Sequence, residues 1–322
     1  MARSFDGNRL TIGLAHAAYQ LGDEFRARET SFSCFEARTS DELAARIHEA
    51  DVLVVSGLWR NELLAQADRL RFVQSISAGT DQFDRDLMRA RGVRLASAQG
   101  ANERAVAQHA MALILGLARQ LHHARDRQRR AEWAGMIADR PRREQELTGR
   151  TLVIVGLGRI GTRLARLAQA FDMRVIGVKR RADEVPHADR IVAPGELRAV
   201  LPEADFVALT CPLTAETEGM IGSAELAAMK PTACLINVAR GRVVDERALI
   251  DALDRRIIAG AGLDCFHEEP LPSSSPLWNM ADVIVTPHRA GETQGYEAAV
   301  VDLLLENLER LSQGRELRNR IV

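Results

Sequence analysis

The stretch Thr151–Phe171, TLVIVGLGRIGTRLARLAQAF, decides the fold. Its first residues are an apolar run that reads as a buried strand. Gly156-Leu157-Gly158-Arg159-Ile160-Gly161 reads as a turn, and the rest as an amphipathic helix. A G-x-G-x-x-G pattern alone is weak, but between a strand and a helix it has the context a phosphate cradle requires. The first glycine permits a tight turn. The second lets the backbone approach a pyrophosphate, and the third lets helix and strand pack closely. The phosphates then rest on N–H groups at the helix N-terminus, where the dipole favours anions.

Where such a turn binds NAD, an Asp or Glu about twenty residues further on bonds the ribose hydroxyls. Here the next strand, MRVIGV, runs into Lys179, Arg180 and Arg181, and no carboxylate occupies its tip. A carboxylate there repels the 2′-phosphate of NADP, whereas cations attract it. Hydrogen bonds to charged groups contribute about 1.5–3 kcal/mol each, so two of them set cofactor choice. NADP is the preferred cofactor on this ground, with NAD possible. A solvated basic loop is the competing reading. Asp183 and Glu184 stand close enough in sequence to serve the ribose or to offset the cations.

Outward from this stretch the chain alternates strands and helices. DVLVV (51–55), LRFVQSIS (70–77) and VRLAS (93–97) read as buried strands, with DELAARIHEA and NELLAQA as helices between them. A long helical pattern follows from Asn102 to about Ala138, apolar nearly all round at AVAQHAMALILGLA and therefore buried there. RVIGVK, DFVALTCP, ACLINVA, IAGAGLDC and DVIVTPH continue the strand series after Thr151. Helices follow Gly158, Pro194, Ser223 and Asp245, and a last one spans about Glu292 to Ser312. Alternation of this kind argues for parallel sheets with helical crossovers.

Composition excludes several classes. The formal net charge is −1 and 46% of residues are hydrophobic, so nucleic acid is not expected as a partner. The basic run RDRQRRAEW (125–133) reads as a solvated helix face, with a binding patch as the competing reading. The four cysteines, Cys34, Cys211, Cys234 and Cys265, have no CxxC or CxxH spacing. Cys211, Cys234 and Cys265 lie inside or beside apolar runs and read as small hydrophobes, which fits a reducing cytoplasm, and no metal site is expected. MARSFDGNRLTIGLAH contains no continuous apolar segment, and no run approaches the roughly 18 apolar residues of a membrane span. A cytoplasmic location and no membrane partner are expected.

Three later segments suggest chemistry. INVARGRVVDE (236–246) places Arg240 after a strand, where ligands bind in open α/β sheets. Its planar, permanently charged fork suits a bidentate grip on a carboxylate. GAGLDCFHEEPL (260–271) places Asp264 and Glu269 after a second strand, and VIVTPHRAG (283–291) places His288 after a third. Each has an ordinary reading as surface charge, loop or turn. Together they present Arg, Glu and His on one edge of one sheet, downstream of one glycine turn.

At this point the chain resembles the D-isomer-specific 2-hydroxyacid dehydrogenase family over nearly its whole length. The resemblance rests on SAGTDQFD (77–84), AVAQHAMALILGLAR, LTGRTLVIVGLGRIG, CPLTAET (211–217), NVARGRVVDE, GLDCFHEEPLP and TPHRAG, in that order. It implies an enzyme transferring a hydride between a nicotinamide cofactor and a 2-keto or D-2-hydroxy acid. It further implies two Rossmann-like, flavodoxin-like, doubly wound parallel-sheet domains with a cleft between them. Residues 1–100 plus 291–322 form a discontinuous substrate domain and 101–290 the dinucleotide domain. His288 is the implied acid/base, Glu269 its partner, and Arg240 the holder of substrate carboxylate and carbonyl. Ser77, Ala78 and Gly79 are the implied backbone donors to that carboxylate. Cys211, Pro212, Thr217, Val238, Ala239, Asp264 and His288 join Gly156, Gly158, Arg159, Ile160 and Gly161 along the cofactor. A homodimer, built through the helical segment that contains Trp133, is implied as well.

The cations after Val178 depart from the family's common acidic ending and resemble the NADPH-using glyoxylate and hydroxypyruvate reductases, which gives those two acids as first expectations. A phosphoglycerate-dehydrogenase-like enzyme using NAD is the alternative, although VVSGLWRNELL (54–64) lacks that group's Arg-Ser-x-Thr segment. Leu58 and Trp59 leave two readings open, a wall of an apolar side-chain pocket or core. Glu269 argues against the formate dehydrogenase lineage, which pairs its histidine with Gln. A dinucleotide-sensing binding module of the same fold retains Arg240, Glu269 and His288, so the triad does not separate it from the enzyme, and a test for keto-acid-dependent NADPH oxidation does.

Overall fold

The computed structural model describes residues 10–181 and 185–322. The first residues of the N-terminal stretch, and Asp183 and Glu184, for which a ribose or cation-offsetting role was expected, lie outside the described residues. The chain divides into two compact units, 1–102 with 292–322, and 103–291.

The first unit contains β1 (Thr11–Ala15), α1 (Leu21–Arg26), β2 (Ser33–Ala37), α2 (Ser40–Arg46), β3 (Val52–Val55), β4 (Phe72–Ser75), α3 (Arg85–Arg91) and β5 (Arg94–Ala96). Among the described residues its strands form one parallel sheet in the order β2-β1-β3-β4-β5. Alternate residues feed opposite faces: Ile12, Leu14, Val52 and Val54 enter one buried cluster, Leu53, Val55, Val73 and Leu95 the other. That is the period-two pattern of a sheet covered on both sides. NELLAQ forms a 3₁₀ helix rather than the expected α-helix. Trp59 is core: it is 2% exposed, and its indole N–H donates to Asn61 Oδ1 at 2.9 Å.

The second unit contains α4 (Glu103–Ala118), α5 (Leu121–Arg129), β6 (Thr151–Val155), α6 (Arg159–Ala170), β7 (Arg174–Val178), β8 (Arg190–Val192), α7 (Leu197–Val200), β9 (Phe206–Leu209), α8 (Ser223–Ala228), β10 (Cys234–Asn237), α9 (Glu246–Asp254), β11 (Gly260–Leu263) and β12 (Val283–Val285). Its parallel sheet runs β12-β11-β10-β9-β6-β7-β8. Leu152 and Ile154 pack with α4 on one face, Val153 and Val155 with the cluster on the other. The expected long helix is two helices, broken where Gln120 adopts φ +51°. It ends early because Ala131 turns left-handed while its N–H bonds Gln128 O and that of Glu132 bonds Arg127 O. Those two bonds close the helix carbonyls. No residue of α5 is buried, so packing does not prolong it.

The last helix, α10 (Tyr296–Ser312), returns to the first unit. Its buried Asn307 donates to buried Gln74 Oε1 at 2.9 Å and accepts from Arg318 N–H at 2.7 Å. Tyr296 Oη donates to Ile76 O at 2.5 Å. Among the described residues no helix is long and apolar enough to cross a membrane.

Candidate active site

In the second unit β6 pairs with β7 on one side and β9 on the other, so the strand order reverses there. Ligands of open α/β sheets bind beyond the carboxyl ends of the strands at such a reversal. The glycine turn sits at that place. Gly156 has φ +97°, and a Cβ on it would lie 2.6 Å from the backbone of Cys211. A Cβ on Gly161 would lie 2.5 Å from Gly156 O, whereas one on Gly158 would meet nothing within 4 Å. The first and third glycines are therefore required by packing, and the second faces open space. This is the cradle expected of a pyrophosphate at the N-terminus of α6, with Arg159, Ile160 and Gly161 supplying the first amides.

Gly156 N–H and Leu157 N–H both donate to Val178 O, at 3.0 and 3.4 Å. The glycine turn is thus bonded to the residue that precedes Lys179, Arg180 and Arg181. Arg180 and Arg181 are exposed and Lys179 half-buried. Across the turn, Glu216 is held below the ordinary carboxylate value, by Thr214 and its own loop backbone first, with the charge of Arg180 adding to them. The basic tip and the loop after β9 therefore share one electrostatic neighbourhood.

That loop begins with Thr210, which the sequence did not single out. Its hydroxyl donates to Gly156 O at 2.7 Å and ties β9 to the glycine turn. Cys211 is buried against the turn, and burial pushes its thiol up to about 11. Thr217 donates its hydroxyl to Pro212 O at 2.7 Å and accepts from Thr214 N–H at 2.8 Å, so it closes the loop internally.

Beyond β10, buried Asn237 shapes the chain: Ala239 N–H donates to its Oδ1 and its Nδ2 donates to Arg240 O, both at 3.0 Å. Val238 and Ala239 are nearly buried. Arg240 is half-buried, with one guanidinium N–H to Ala239 O at 2.7 Å. A Cβ on Gly241 would lie 1.9 Å from Phe266 C and O. This close approach sets the Arg240 turn directly against the segment that carries Glu269.

Glu269 Oε1 accepts from Phe266 N–H at 2.9 Å, and Glu269 Oε2 lies 2.7 Å from His288 Nδ1. That hydrogen bond, partly opposed by burial, raises the imidazole pKa above its ordinary 6.5. Burial works against ionised Glu269, yet His288, the Phe266 amide and Arg240 together hold its carboxyl below the ordinary 4.5. With Nδ1 engaged, Nε2 is the imidazole nitrogen left to face a substrate. His288 has φ +51°, a left-handed conformation sparsely populated by residues other than glycine.

The turn that imposes this conformation is built by Asp264, which is 2% exposed. Its carboxylate accepts from Thr286 Oγ1 at 2.6 Å and from the N–H groups of Arg289 and Ala290 at 2.9 Å each. Thr286 Oγ1 also lies 2.9 Å from His109 Nε2 on α4. His109 and Thr286 escaped the sequence reading because neither shows its role until the helix and the strand end meet. Ser77, Ala78 and Gly79 belong to the first unit, just after β4. Ser77 Oγ lies 2.7 Å from Ser56 Oγ, Ser77 O accepts from Ala98 N–H at 3.0 Å, and Ala78 is exposed.

A reversed parallel sheet, a glycine cradle and a polarised His–Glu pair on the same sheet define a dinucleotide-dependent oxidoreductase. Residues 111–290 match the family described as D-isomer specific 2-hydroxyacid dehydrogenase, NAD binding domain. The chain is 38% identical to glyoxylate reductase of Pyrococcus furiosus over 279 residues, 85% of this chain and 83% of that protein. It is 37% identical to glyoxylate/hydroxypyruvate reductase B of Yersinia enterocolitica, covering 85% of each. Among solved structures, a D-isomer specific 2-hydroxyacid dehydrogenase family protein of Aeromonas salmonicida superposes with a TM-score of 0.85 at 29% identity, over 98% of this chain and 99% of that one. The chain belongs to the D-isomer specific 2-hydroxyacid dehydrogenase family. It is an NAD(P)-dependent 2-hydroxyacid oxidoreductase.

Proposed function

We propose that this chain is an NADPH-preferring reductase of small 2-keto acids of the glyoxylate and hydroxypyruvate type. The observation that carries the chemistry is the 2.7 Å contact between His288 Nδ1 and Glu269 Oε2. When bound, the nicotinamide supplies a hydride to the carbonyl carbon of the keto acid. The carbonyl oxygen then needs a proton, and His288 donates it from Nε2. Glu269 keeps the imidazole charged until that transfer, and afterwards its carboxylate still accepts the Nδ1–H of the neutral ring. In the oxidising direction neutral His288 accepts the hydroxyl proton. Arg240 grips the substrate carboxylate with its fork and polarises the carbonyl. Asp264 acts one step back, as the holder of the turn on which His288 stands.

The remaining assignments follow from the same reading. The second unit holds the cofactor, with pyrophosphate on Gly156–Gly161, the loops 211–217 and 238–239 along the dinucleotide, and the 2′-phosphate on Lys179, Arg180 and Arg181. The first unit recognises substrate through backbone N–H groups of Ser77, Ala78 and Gly79. A homodimer is supported by Trp133 and Met136, 99% and 102% exposed on one short segment. Large apolar side chains so placed gain from a partner surface. Four free thiols fit work in a reducing cytoplasm.

The test is steady-state reduction of a panel of 2-keto acids with NADPH and NADH in parallel. NADPH is expected to win by about tenfold or more, which one charge-assisted contact supplies. Changing Lys179, Arg180 and Arg181 together to Ala is expected to erase the preference while NADH turnover persists. Equal use of both cofactors by the unaltered chain would overturn the NADPH assignment, and no turnover of any keto acid would overturn the reductase.

A further inference from the structure

We infer that His122, His123 and Asp282 form a divalent transition-metal site of the zinc type on the second unit, remote from the catalytic pair. Their ligand atoms lie within 4.8 Å of one another. His123 Nε2 lies 3.1 Å from Asp282 Oδ1, and the two imidazole rings lie 4.1 Å apart between centroids. Two imidazoles and a carboxylate are a donor set that zinc and its neighbours accept, whereas magnesium and calcium prefer oxygen alone. A fourth position remains for water.

A second observation points to an ion rather than a mere hydrogen-bonded cluster. His122 Nδ1 lies 3.4 Å from Gly116 O, while its Nε2 is buried with no hydrogen-bond partner among the described residues. Buried polar atoms are normally paired. A ligating histidine characteristically gives one ring N–H to a backbone carbonyl and its other nitrogen to the metal. His122 shows the first half of that arrangement and leaves the second nitrogen available.

The site's position separates it from the redox centre. Asp282 immediately precedes β12 and His288 lies beyond its other end, so the cluster occupies the amino-terminal edge of the parallel sheet. β12 is the last strand of that sheet among the described residues. An ion there fastens the exposed helix α5 to the edge strand, joining residues 159 apart in sequence. The Cys and His spacing of the sequence gave no hint of it, since two adjacent histidines acquire their third ligand only through the fold.

The full chain, stripped with chelator, is titrated with zinc chloride or magnesium chloride by calorimetry and followed by thermal denaturation. One zinc ion per chain and a raised Tm are expected, with no effect of magnesium. His123→Gln and Asp282→Asn are each expected to weaken zinc binding by about tenfold or more and to abolish the Tm rise, without changing keto acid turnover. Cobalt(II) in the unaltered chain is expected to give visible bands of a nitrogen–oxygen site. No saturable zinc binding, unchanged binding in both variants, or a sulfur charge-transfer band placing the ion on a thiol would each overturn the site.

Discussion

His288 carries three constraints at once: a carboxylate partner, a left-handed backbone, and a turn fixed by a buried aspartate. The carboxylate sets its titration. Because Glu269 raises the imidazole pKa, the proton needed for keto acid reduction is held below that raised value and lost as pH climbs through it. Reductive kcat/KM is therefore expected to fall on the alkaline side of 6.5, and oxidative kcat/KM to rise there. Glu269→Gln removes the raising charge, so the alkaline limb of a pH–rate profile is expected to move to lower pH; an unmoved limb would mean the pair does not govern protonation. His288→Asn removes the acid altogether, with an expected loss of about 10²–10⁴ in kcat/KM. Asp264→Ala acts on the turn instead. It takes the carboxylate acceptor away from Thr286 Oγ1 and from the Arg289 and Ala290 amides, at about 1–3 kcal/mol for a buried unsatisfied group. Urea denaturation is expected to show that loss together with reduced kcat.

At the scale of the element, the glycine turn separates packing from binding. Gly161→Ala places a Cβ against Gly156 O at 2.5 Å and is expected to destabilise the second unit. Gly158→Ala meets no protein atom within 4 Å, so it is expected to fold normally and yet weaken NADPH binding, because the methyl group points where the pyrophosphate would rest. Thermal denaturation and fluorescence titration of NADPH distinguish the two variants. This element was fully legible in the sequence, because strand, glycine spacing and helix are all local. The strand ends bearing Arg240, Glu269 and His288 were legible for the same reason. What holds them was not. Thr210, Asn237, His109 and Thr286 act across elements, and their side chains have no local signature. The helical pattern after Asn102 was legible as far as Arg129, but it reads as one helix carried on to Ala138, because the left-handed residues Gln120 and Ala131 break it without a glycine to announce them.

At the scale of the whole molecule, the two sheets were legible as α/β alternation, while β1, β2 and β8 escaped notice as individual strands. β1 opens beside a polar stretch, and β2 and β8 are sheet edges bearing Ser33, Glu36 and Arg190. The buried Asn307–Gln74 pair was invisible for a different reason, since its members lie 233 residues apart. Asn307→Ala leaves buried Gln74 Oε1 and the Arg318 amide unpaired. The first unit is expected to lose about 1–3 kcal/mol of stability, read by denaturant titration with the second unit unchanged.

The return of α10 to the first unit also dictates an order of events during synthesis. The bond from Tyr296 to Ile76 spans 220 residues, so the sheet that is made first is the last to be covered. The ribosome delivers every strand of the second unit before the helix that seals the first. A nascent chain therefore holds β1 to β5 with part of their apolar face uncovered while the later unit is already able to close. Limited proteolysis of ribosome-stalled nascent chains of increasing length is expected to show protection in residues 151–285 before protection in residues 11–96, reversing the usual amino-to-carboxyl sequence of domain folding.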